Sequence, residues 1–355
     1  MVAMFDNPSF DAHERVVFGY DADCGLRTII AVHSTARGPG AGGCRFWHYP
    51  DTEAALTDAL RLSRGMSYKN AMADLPLGGG KAVVMLDRGQ RGGQHKSRAL
   101  LEAFGRLVDT LGGRYITAED VGASVADMEI VGTQTRYVAG LSRTALGADA
   151  NPSPKTALGV YLGLRAAVKF RLGRDTLEGL AIAVQGLGAV GYELSRRLAA
   201  DGAKLRVADL RADIVQQACT EFGATAASPD RVLLEPVDVV APCALGAVLD
   251  GGTIARLQAK VVAGSANNQL ASAEDGQRLH AAGVLYAPDY VINAGGIISV
   301  GREYLGNATA ESIAAEIRRI PERLTEIFER SRAEDRPTSG VADEMARRLI
   351  QETRR

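Results

Sequence analysis

Two lysines lie twelve residues apart and are candidates for chemistry. Lys69 comes directly after a predicted helix, and Lys81 comes directly after three glycines, which predict a flexible loop. The second segment is similar to a phosphate-binding loop. However, the pattern GxxxxGKS or GxxxxGKT would require glycine at Leu75 and a hydroxyl at Ala82. Binding of a nucleoside triphosphate is therefore not indicated.

A close pair of lysines suits chemistry on an amino acid, because one ammonium can bind the carboxylate while the other exchanges protons near the α-carbon. Mutual repulsion and burial would lower one lysine pKa from about 10.4 toward about 7 to 8, which is useful for proton transfer. A neighbouring carboxylate would oppose that shift. The same residues also fit a simpler interpretation, in which both lysines are solvated surface charges.

A glycine motif in the second half of the chain is typical of dinucleotide binding. It follows the apolar run LAIAVQ, opens a predicted helix, and consists of Gly186, Leu187, Gly188, Ala189, Val190 and Gly191. In such a motif the first glycine permits a tight turn, the second lets the backbone approach a pyrophosphate, and the third brings helix and strand together. The helix N-terminus then faces the phosphates. The alternative is a glycine-rich turn in a fold that has lost its cofactor.

Asp209 ends the predicted second strand, 18 residues after Gly191. A carboxylate at this point binds the ribose hydroxyls and repels a 2′-phosphate, which favours NAD over NADP. Arg211 would soften that preference, although an arginine also commonly occupies an exposed helix start.

Composition excludes several classes of partner. The 355 residues suffice for two domains of about 100 to 200 residues each. The 41 Lys and Arg balance 42 Asp and Glu, so no basic field is available for nucleic acid or a membrane surface. The five histidines are scattered without metal-binding spacing, so no metal is expected. Four dispersed cysteines and an N-terminus without a leader pattern predict a cytoplasmic protein with reduced thiols.

The lysines must be positioned by a first domain, which we place at residues 1–147. A hairpin is predicted over 15–33, amphipathic helices over 53–66 and 97–111, and a short buried strand over 81–86. This mixture predicts an α/β unit.

A turn-rich segment at 146–155 predicts a hinge, and we place the second domain at 148–329. Ser153 as N-cap and Pro154 in the first turn predict the start of a helix. Short apolar runs then alternate with helices, as in a doubly wound nucleotide-binding domain. A C-terminal helix over 330–355 is expected to pack back on the first domain.

Nine segments together are characteristic of one family. They are GPGAGGCRFW, ALRLSRGMSYKNA, LPLGGGKAVV, GGRYITAEDVG, NPSPKTALGV, AVQGLGAVG, VVAPCALGA, AGSANNQL and YAPDYVINAGG. In this order, and over nearly the whole chain, they resemble blocks of the Glu/Leu/Phe/Val dehydrogenase family, with leucine dehydrogenases most similar.

The resemblance implies a role for individual residues. Lys69 would bind the substrate α-carboxylate, Lys81 would be the general acid and base that activates water, and Asp120 would exchange protons with the amino group. Gly42 and Gly43 would line the substrate with their backbone. Beside the fingerprint and Asp209, the implied cofactor contacts are Thr156, Cys243, Ala244, Ala266, Asn267, Asn268 and Asn293, and the last would also help to hold the substrate carboxylate. Structural alternatives are a helix N-cap for Asp120, a turn residue for Asn293 and a first-turn helix residue for Thr156.

The resemblance also implies the fold and the reaction. An N-terminal α/β domain for substrate binding and oligomerisation would be followed by a Rossmann NAD-binding domain, with a cleft between them. The expected enzyme is a homo-oligomer that converts leucine, valine or isoleucine to the 2-oxo acid and ammonia, with NAD taking the hydride. Closure of the cleft would exclude water.

The implied specificity pocket is apolar, which disfavours glutamate; its positions are Ala41, Met66, Ala118, Ile317 and Ile320. We expect the two isoleucines to share a face, since they lie one helical turn apart. Leucine dehydrogenases usually carry leucine where this chain has Ala41, so a larger cavity could admit phenylalanine or tryptophan as an alternative.

Two other classes of NAD-binding protein fit these residues less well. A regulatory protein that binds NAD without turnover would have no need of the lysine pair and Asp120 together. A 2-hydroxy acid dehydrogenase normally uses a histidine, and none lies in the nine blocks.

Overall fold

The chain forms two compact units in a computed structural model that describes residues 4–86, 96–141, 151–306 and 309–353. The first unit comprises Met1–Ala150, Val300–Thr309 and Ala346–Arg355, and the second comprises Asn151–Ser299 and Ala310–Met345. The expected boundary at residues 147 and 148 lies outside the described residues, as does the first half of the expected hinge.

The first part of the chain alternates strands and helices, as the sequence predicts. Its described elements are β1 (Arg15–Asp21), β2 (Leu26–Ser34), β3 (Gly40–Ala41), β4 (Cys44–Trp47), α1 (Thr52–Met72), β5 (Gly78–Met85), α2 (Arg98–Thr110), β6 (Tyr115–Ile116) and α3 (Val125–Val131).

These strands form one mixed six-stranded sheet in the order β1-β2-β5-β3-β6, with β4 also paired to β5. The predicted hairpin is confirmed, since β1 and β2 pair antiparallel. Side chains of a strand alternate between the two faces. Ile29 and Val83 accordingly pack with apolar residues of α1, while Ile30 and Val84 pack with those of α2.

Two expectations about the lysine segments were wrong. Helix α1 continues to Met72, so Lys69 lies in its last turn rather than after it, and the three glycines are the first residues of the buried strand β5. A Cβ atom on Gly79 would lie only 2.1 Å from the backbone nitrogen of Ser67. Gly79 therefore lets the backbone of α1 lie directly on β5, and the sequence alone does not distinguish this close packing from flexibility.

The remaining elements continue the alternation, with α10 and α13 extending into the first unit. They are α4 (Ser153–Leu172), β7 (Ala181–Gln185), α5 (Ala189–Ala200), β8 (Lys204–Ala208), α6 (Ala212–Phe222), β9 (Thr225–Ala226), β10 (Val239–Pro242), α7 (Gly251–Ile254), β11 (Val261–Val262), α8 (Ala273–Ala281), β12 (Leu285–Tyr286), α9 (Asp289–Ile292), α10 (Gly295–Leu305), α11 (Ala310–Ile317), α12 (Ile320–Glu334) and α13 (Thr338–Glu352).

The second sheet has the order β12-β11-β10-β7-β8-β9, and all of its neighbouring strands are parallel. This is the doubly wound order of a Rossmann domain, in which the strand order reverses beside the first strand of the motif. The predicted α/β fold with a Rossmann domain is confirmed. Among the described helices, none is long and apolar enough to cross a membrane.

Two predictions about helix boundaries were wrong. Ser153 is the first residue of α4 rather than its N-cap, and the Asn151 side chain accepts a hydrogen bond from its backbone N–H at 3.0 Å. Ile317 and Ile320 do not share one helical face, because α11 ends at the first and α12 begins at the second. Pro321 at the start of α12 has no N–H to continue the α11 hydrogen bonds.

Candidate active site

Lys81 and Asp120 form a buried ion pair in the first unit. The Lys81 side chain, on β5, is 6% exposed, and its Nζ lies 3.2 Å from Asp120 Oδ1. A buried ammonium requires a partner, because removal from water disfavours the charged form. Strand β5 supplies Lys81 and the loop after β6 supplies Asp120, so the two elements together provide a paired acid and base.

Hydrogen bonds to β4 hold the loop that carries Asp120. The N–H groups of Cys44 and Phe46 each donate at 2.9 Å, to the carbonyls of Ala118 and Val121. Asp120 is not a helix N-cap, since Ser124 caps α3 in a capping box with Asp127. The structural alternative for Asp120 is therefore wrong, and its carboxylate is available for other partners.

Arg45 is a site residue that the sequence reasoning missed. Its Nε donates to Asp120 Oδ2 at 3.0 Å. Burial acts to raise the pKa of the Asp120 carboxyl, but Lys81 and Arg45 outweigh this effect and lower it below its ordinary value. The available signal was a charged residue between the apolar Cys44 and Phe46 on a short strand.

Close backbone approaches bring further predicted residues to this pair. A Cβ on Gly42 would lie 2.0 Å from the Gly80 carbonyl oxygen and 2.9 Å from Met66 Cγ, and one on Gly43 would lie 2.9 Å from the Asp120 Cβ. The Gly42 N–H donates to the Ile116 carbonyl at 3.1 Å, and the Gly42 carbonyl accepts from the Tyr115 hydroxyl at 2.8 Å. The glycines thus make room for the site.

Lys69 lies one helical turn after Met66 on α1. The next residue, Asn70, donates from Nδ2 to the carbonyl of Gly78 at 2.6 Å. This hydrogen bond ties the helix that carries Lys69 to the strand that carries Lys81. The positions of both lysines are consequently set by one helix–strand contact.

The predicted pocket residues divide between the two units. Ala41 is buried on β3, where it is the register partner of Gly79 and Ile116. Ile317 and Ile320 are buried in the second unit, and a Cβ on Gly159 of α4 would lie 2.8 Å from the Ile320 Cδ1. Ile320 therefore has at least a core-packing role.

The fingerprint turn has the shape that a pyrophosphate requires. Gly186 has a φ of +94°, and a Cβ on Gly191 would lie 2.0 Å from the Gly186 carbonyl oxygen. A Cβ on Gly188 would meet no described atom within 4 Å. Gly188 is also the N-cap of α5 and provides no capping side chain, so the first N–H groups of this helix can face an anion.

Residues after β10 close one side of the turn. A Cβ on Gly186 would lie 2.8 Å from the Ala244 Cβ, and one on Gly191 would lie 3.2 Å from the Cys243 Cβ. Asp209 follows β8 on another side and accepts a hydrogen bond from the N–H of Leu187. These predicted cofactor residues are brought together, and the arrangement fits a dinucleotide.

A second group of predicted residues surrounds Asn293, which directly follows α9. Its Nδ2 donates to the Ser265 carbonyl at 3.0 Å and to Asn267 Oδ1 at 2.8 Å. Its buried Oδ1 has no hydrogen-bond partner among the described residues. A free acceptor suits a ligand N–H, such as that of the nicotinamide carboxamide, better than a carboxylate.

The remaining members of this group lie on neighbouring segments. The N–H of Ala266 donates to the Pro242 carbonyl at 2.9 Å, and Asn268 has a φ of +52°. Thr156, in the first turn of α4, donates to the Pro152 carbonyl, and a Cβ on Gly296 would lie 2.6 Å from its Oγ1.

Known proteins match both units. The family model described as Glu/Leu/Phe/Val dehydrogenase, dimerisation domain, matches residues 13–137. The model described as Glutamate/Leucine/Phenylalanine/Valine dehydrogenase matches residues 205–336. The chain is similar to leucine dehydrogenase of Bacillus subtilis (strain 168), with 48% identity over 343 residues that cover 97% of this chain and 93% of that protein.

Two further similarities extend over nearly the full length. L-tryptophan dehydrogenase of Nostoc punctiforme is 41% identical over 353 residues, which cover 99% of this chain and 97% of that protein. A crystal structure of L-tryptophan dehydrogenase from that organism has a TM-score of 0.83 and covers 97% of both chains, with 40% identity. A valine dehydrogenase of Streptomyces albus is 44% identical over 345 residues, which cover 96% of this chain and 93% of that protein.

The fold and these matches make the protein an NAD(P)-dependent amino acid dehydrogenase, an oxidoreductase that acts on CH–NH2 donors. More specifically, the chain belongs to the Glu/Leu/Phe/Val dehydrogenase family. The resemblance inferred from the nine sequence blocks is confirmed, as is the predicted class of enzyme.

Proposed function

We propose that this protein catalyses NAD-dependent oxidative deamination of leucine, valine or isoleucine to the 2-oxo acid and ammonia, and the reverse reductive amination. The observation that carries the proposal is the buried contact between Lys81 and Asp120. An ammonium and a carboxylate 3.2 Å apart can exchange a proton directly. The similarity to a leucine dehydrogenase at 48% identity supports the choice of substrate.

Three charged residues have separate roles. Lys81 is the general acid and base that activates the water added to the substrate carbon. Asp120 exchanges protons with the substrate amino group, and its lowered pKa keeps it ionised and able to accept one. Lys69 binds the α-carboxylate, since α1 carries it one turn from Met66.

NAD is the proposed cofactor. The fingerprint, together with Cys243 and Ala244, would hold the pyrophosphate, and Asp209 would bind the adenosine ribose. When bound, the nicotinamide ring supplies the acceptor for the hydride of the substrate α-carbon. An ionised Asp209 repels a 2′-phosphate, which favours NAD over NADP. The residues proposed to hold the nicotinamide end are Thr156, Ala266, Asn267, Asn268 and Asn293.

An aromatic substrate is the second candidate. Ala41 is a small residue at a position where leucine dehydrogenases usually carry leucine, and the similarity to an L-tryptophan dehydrogenase covers 99% of the chain. Met66 and Ala118 are apolar as well, so a charged side chain such as that of glutamate is disfavoured. We further infer a homo-oligomer, which the match of residues 13–137 to a dimerisation domain supports.

The test measures NADH formation with leucine, valine, isoleucine, phenylalanine, tryptophan and glutamate. Wild type is compared with Lys81→Ala and with a control, Lys204→Ala, which removes an exposed lysine at the start of β8. We expect the aliphatic amino acids to be turned over fastest. Lys81→Ala should be inactive while still binding NADH, and the control should retain activity.

Other outcomes have defined meanings. Faster turnover of phenylalanine or tryptophan would replace the aliphatic assignment with the aromatic one. Full activity in Lys81→Ala would contradict the proposed general acid and base. In the reverse direction, NADH oxidation with a 2-oxo acid should require ammonia, and activity without ammonia would indicate a hydroxy acid dehydrogenase.

A further inference from the structure

Arg45 connects the Lys81–Asp120 pair to the rest of the first unit through a chain of polar contacts. Its Nε donates to Asp120 Oδ2 and its Nη1 donates to Asp58 Oδ2, each at 3.0 Å. The Tyr49 hydroxyl donates to the same Asp58 oxygen at 2.6 Å. Arg45 is therefore held from two directions, by α1 and by the loop after β6.

The two carboxylate oxygens of Asp120 have different cationic partners. Oδ1 lies 3.2 Å from Lys81 Nζ, whereas Oδ2 accepts the hydrogen bond from Arg45. A carboxylate with one cationic partner can rotate and exchange its oxygens, because its terminal torsion is broad. Two partners on separate oxygens hold the carboxylate plane. Arg45 thus fixes the rotation of the carboxylate so that its other oxygen points to Lys81.

The planar guanidinium is suited to this task. It presents donors in fixed directions, so one arginine can bind Asp120 and Asp58 at the same time. Both of these contacts are partly exposed, with Arg45 at 23% and Asp58 at 28%. The pairs link Asp58, Arg45, Asp120 and Lys81 in one network, so Arg45 connects α1 to the carboxylate that faces Lys81.

We propose that Arg45 is the positioning residue of the active site, which holds the Asp120 carboxylate with one oxygen toward Lys81. The inference rests on the proposed function, in which Asp120 exchanges protons with the substrate. Arg45 acts through Asp120 and needs no contact with the substrate.

Several elements packed around Asp120 contribute titratable groups that interact with it. Among the described residues they include Lys81 of β5, Arg45 and Cys44 of β4, Tyr49 after β4, Tyr115 of β6 and, through Arg45, Asp58 of α1. Burial raises the pKa of the Cys44 thiol to about 12 and also raises the pKa of both tyrosines. These three groups therefore stay neutral at ordinary assay pH.

Loss of Arg45 should change the dependence of enzyme activity on pH, on the acid side of the profile. Burial raises the pKa of Asp120, and in the wild type Lys81 and Arg45 together oppose that effect. With Lys81 alone, the pKa of Asp120 becomes higher. A protonated Asp120 is unable to accept the substrate proton, so activity is lost at a higher pH than in the wild type.

The experiment compares pH profiles of kcat and kcat/KM, with leucine and NAD, for the wild type, Arg45→Met, Arg45→Lys and Asp58→Asn. Arg45→Met should lose about 10- to 100-fold in kcat, as expected for a misplaced catalytic group. Its acid limb should move upward by about one pH unit or more. Arg45→Lys keeps the positive charge but lacks the fixed donor directions of arginine. The acid limb of its pH profile should therefore lie at the wild-type position, while its kcat stays low.

Asp58→Asn is the matched control, because it leaves the arginine charge on Asp120. Its acid limb should stay at the wild-type position, with a smaller loss of kcat than in Arg45→Met. A shifted limb in this variant would contradict the assignment of the charge effect to Arg45. Thermal unfolding and NADH binding show whether each variant is folded.

The remaining outcomes separate the two proposals. An Arg45→Met enzyme with the wild-type kcat and acid limb would overturn the role of Arg45. If Arg45→Met does not fold, the result for Arg45→Lys tests the proposal. A low kcat with the acid limb of the pH profile at its wild-type position supports the proposal, and a wild-type kcat overturns it. Full activity in Asp120→Asn would instead overturn the proposed function of Asp120.

Discussion

The backbone N–H of Leu187 donates a hydrogen bond to Asp209 Oδ2 at 2.7 Å, which ties the fingerprint turn to the end of β8. The other carboxylate oxygen accepts from the N–H of Arg211 at 3.0 Å. Burial alone raises the pKa of Asp209, but these hydrogen bonds and the Arg211 charge lower it. An ionised carboxylate is therefore held by the backbone where Rossmann domains bind the adenosine ribose.

Replacement of Asp209 should relax the cofactor preference. In Asp209→Ser we expect KM for NAD to rise about 10- to 100-fold, since hydrogen bonds to a charged group contribute about 1.5 to 3 kcal/mol. The ratio of NADP to NAD turnover should rise as well, because the repulsion of a 2′-phosphate is removed. Steady-state kinetics with both cofactors measures this.

The control for that change is Asp213→Asn, which removes an exposed carboxylate in the first turn of α6. It should leave both cofactor constants close to those of the wild type. An unchanged preference in Asp209→Ser would show that Asp209 does not bind the ribose.

The contact between α1 and β5 should not tolerate a methyl group at Gly79. A Cβ there would lie 2.1 Å from the Ser67 nitrogen and 2.4 Å from the Ser63 carbonyl oxygen. We expect Gly79→Ala to destabilise the protein by about 1 to 3 kcal/mol or more, as overpacking does. Denaturant unfolding at fixed protein concentration measures the change.

Gly65→Ala is the matched control on the same helix. A Cβ at Gly65 meets no described atom within 4 Å, and alanine is the better helix former. This variant should be more stable than the wild type by about 0.5 to 1 kcal/mol. Equal effects of the two variants would contradict the close contact at Gly79.

A larger residue at Ala41 should shift substrate preference toward aliphatic side chains. In Ala41→Leu we expect kcat/KM for phenylalanine, relative to leucine, to fall by about 10-fold or more, since one methylene discriminates by about 1 to 3 kcal/mol. The ratio of the two kcat/KM values is measured under identical conditions for the wild type and Ala41→Leu. A loss of stability with an unchanged ratio would place Ala41 in the core rather than in a substrate pocket.

The ionisation of Asp120 should appear in the pH dependence of stability. Burial acts to raise its pKa, but Lys81 and Arg45 lower it below the ordinary value of 3.8. A lowered pKa contributes stability that is fully present above the unfolded-state value and is lost as pH falls through the folded-state value. The difference in unfolding free energy between the wild type and Asp120→Asn should thus be constant over about pH 5 to 7 and shrink below about pH 4.

Urea unfolding at several pH values measures that difference. Asp23→Asn, in the exposed turn between β1 and β2, is the control and should show no comparable change with pH. A wild-type advantage that persists unchanged well below pH 4 would contradict the lowered pKa of Asp120.

Local patterns predicted much of the fold. A polar turn between two segments rich in β-branched residues predicted the hairpin of β1 and β2, and strand–glycine–helix order predicted the Rossmann fingerprint. These features depend on residues close together in sequence, whose side-chain period and turn chemistry are encoded locally. Element boundaries were less well predicted, as at Ser153 and at the break before Ile320, because neighbouring segments alter the ends of helices.

The sequence by itself thus determined the family, the two kinds of domain and the residue types available for chemistry. Only the tertiary structure decided that the three glycines before Lys81 belong to the same buried strand and that Arg45 shares Asp120 with Lys81. Arg45 and Asp120 are 75 residues apart. They meet because β4 and β5 pair and because hydrogen bonds from β4 hold the loop after β6. Such a contact depends on how separate elements pack, and no local spacing encodes it.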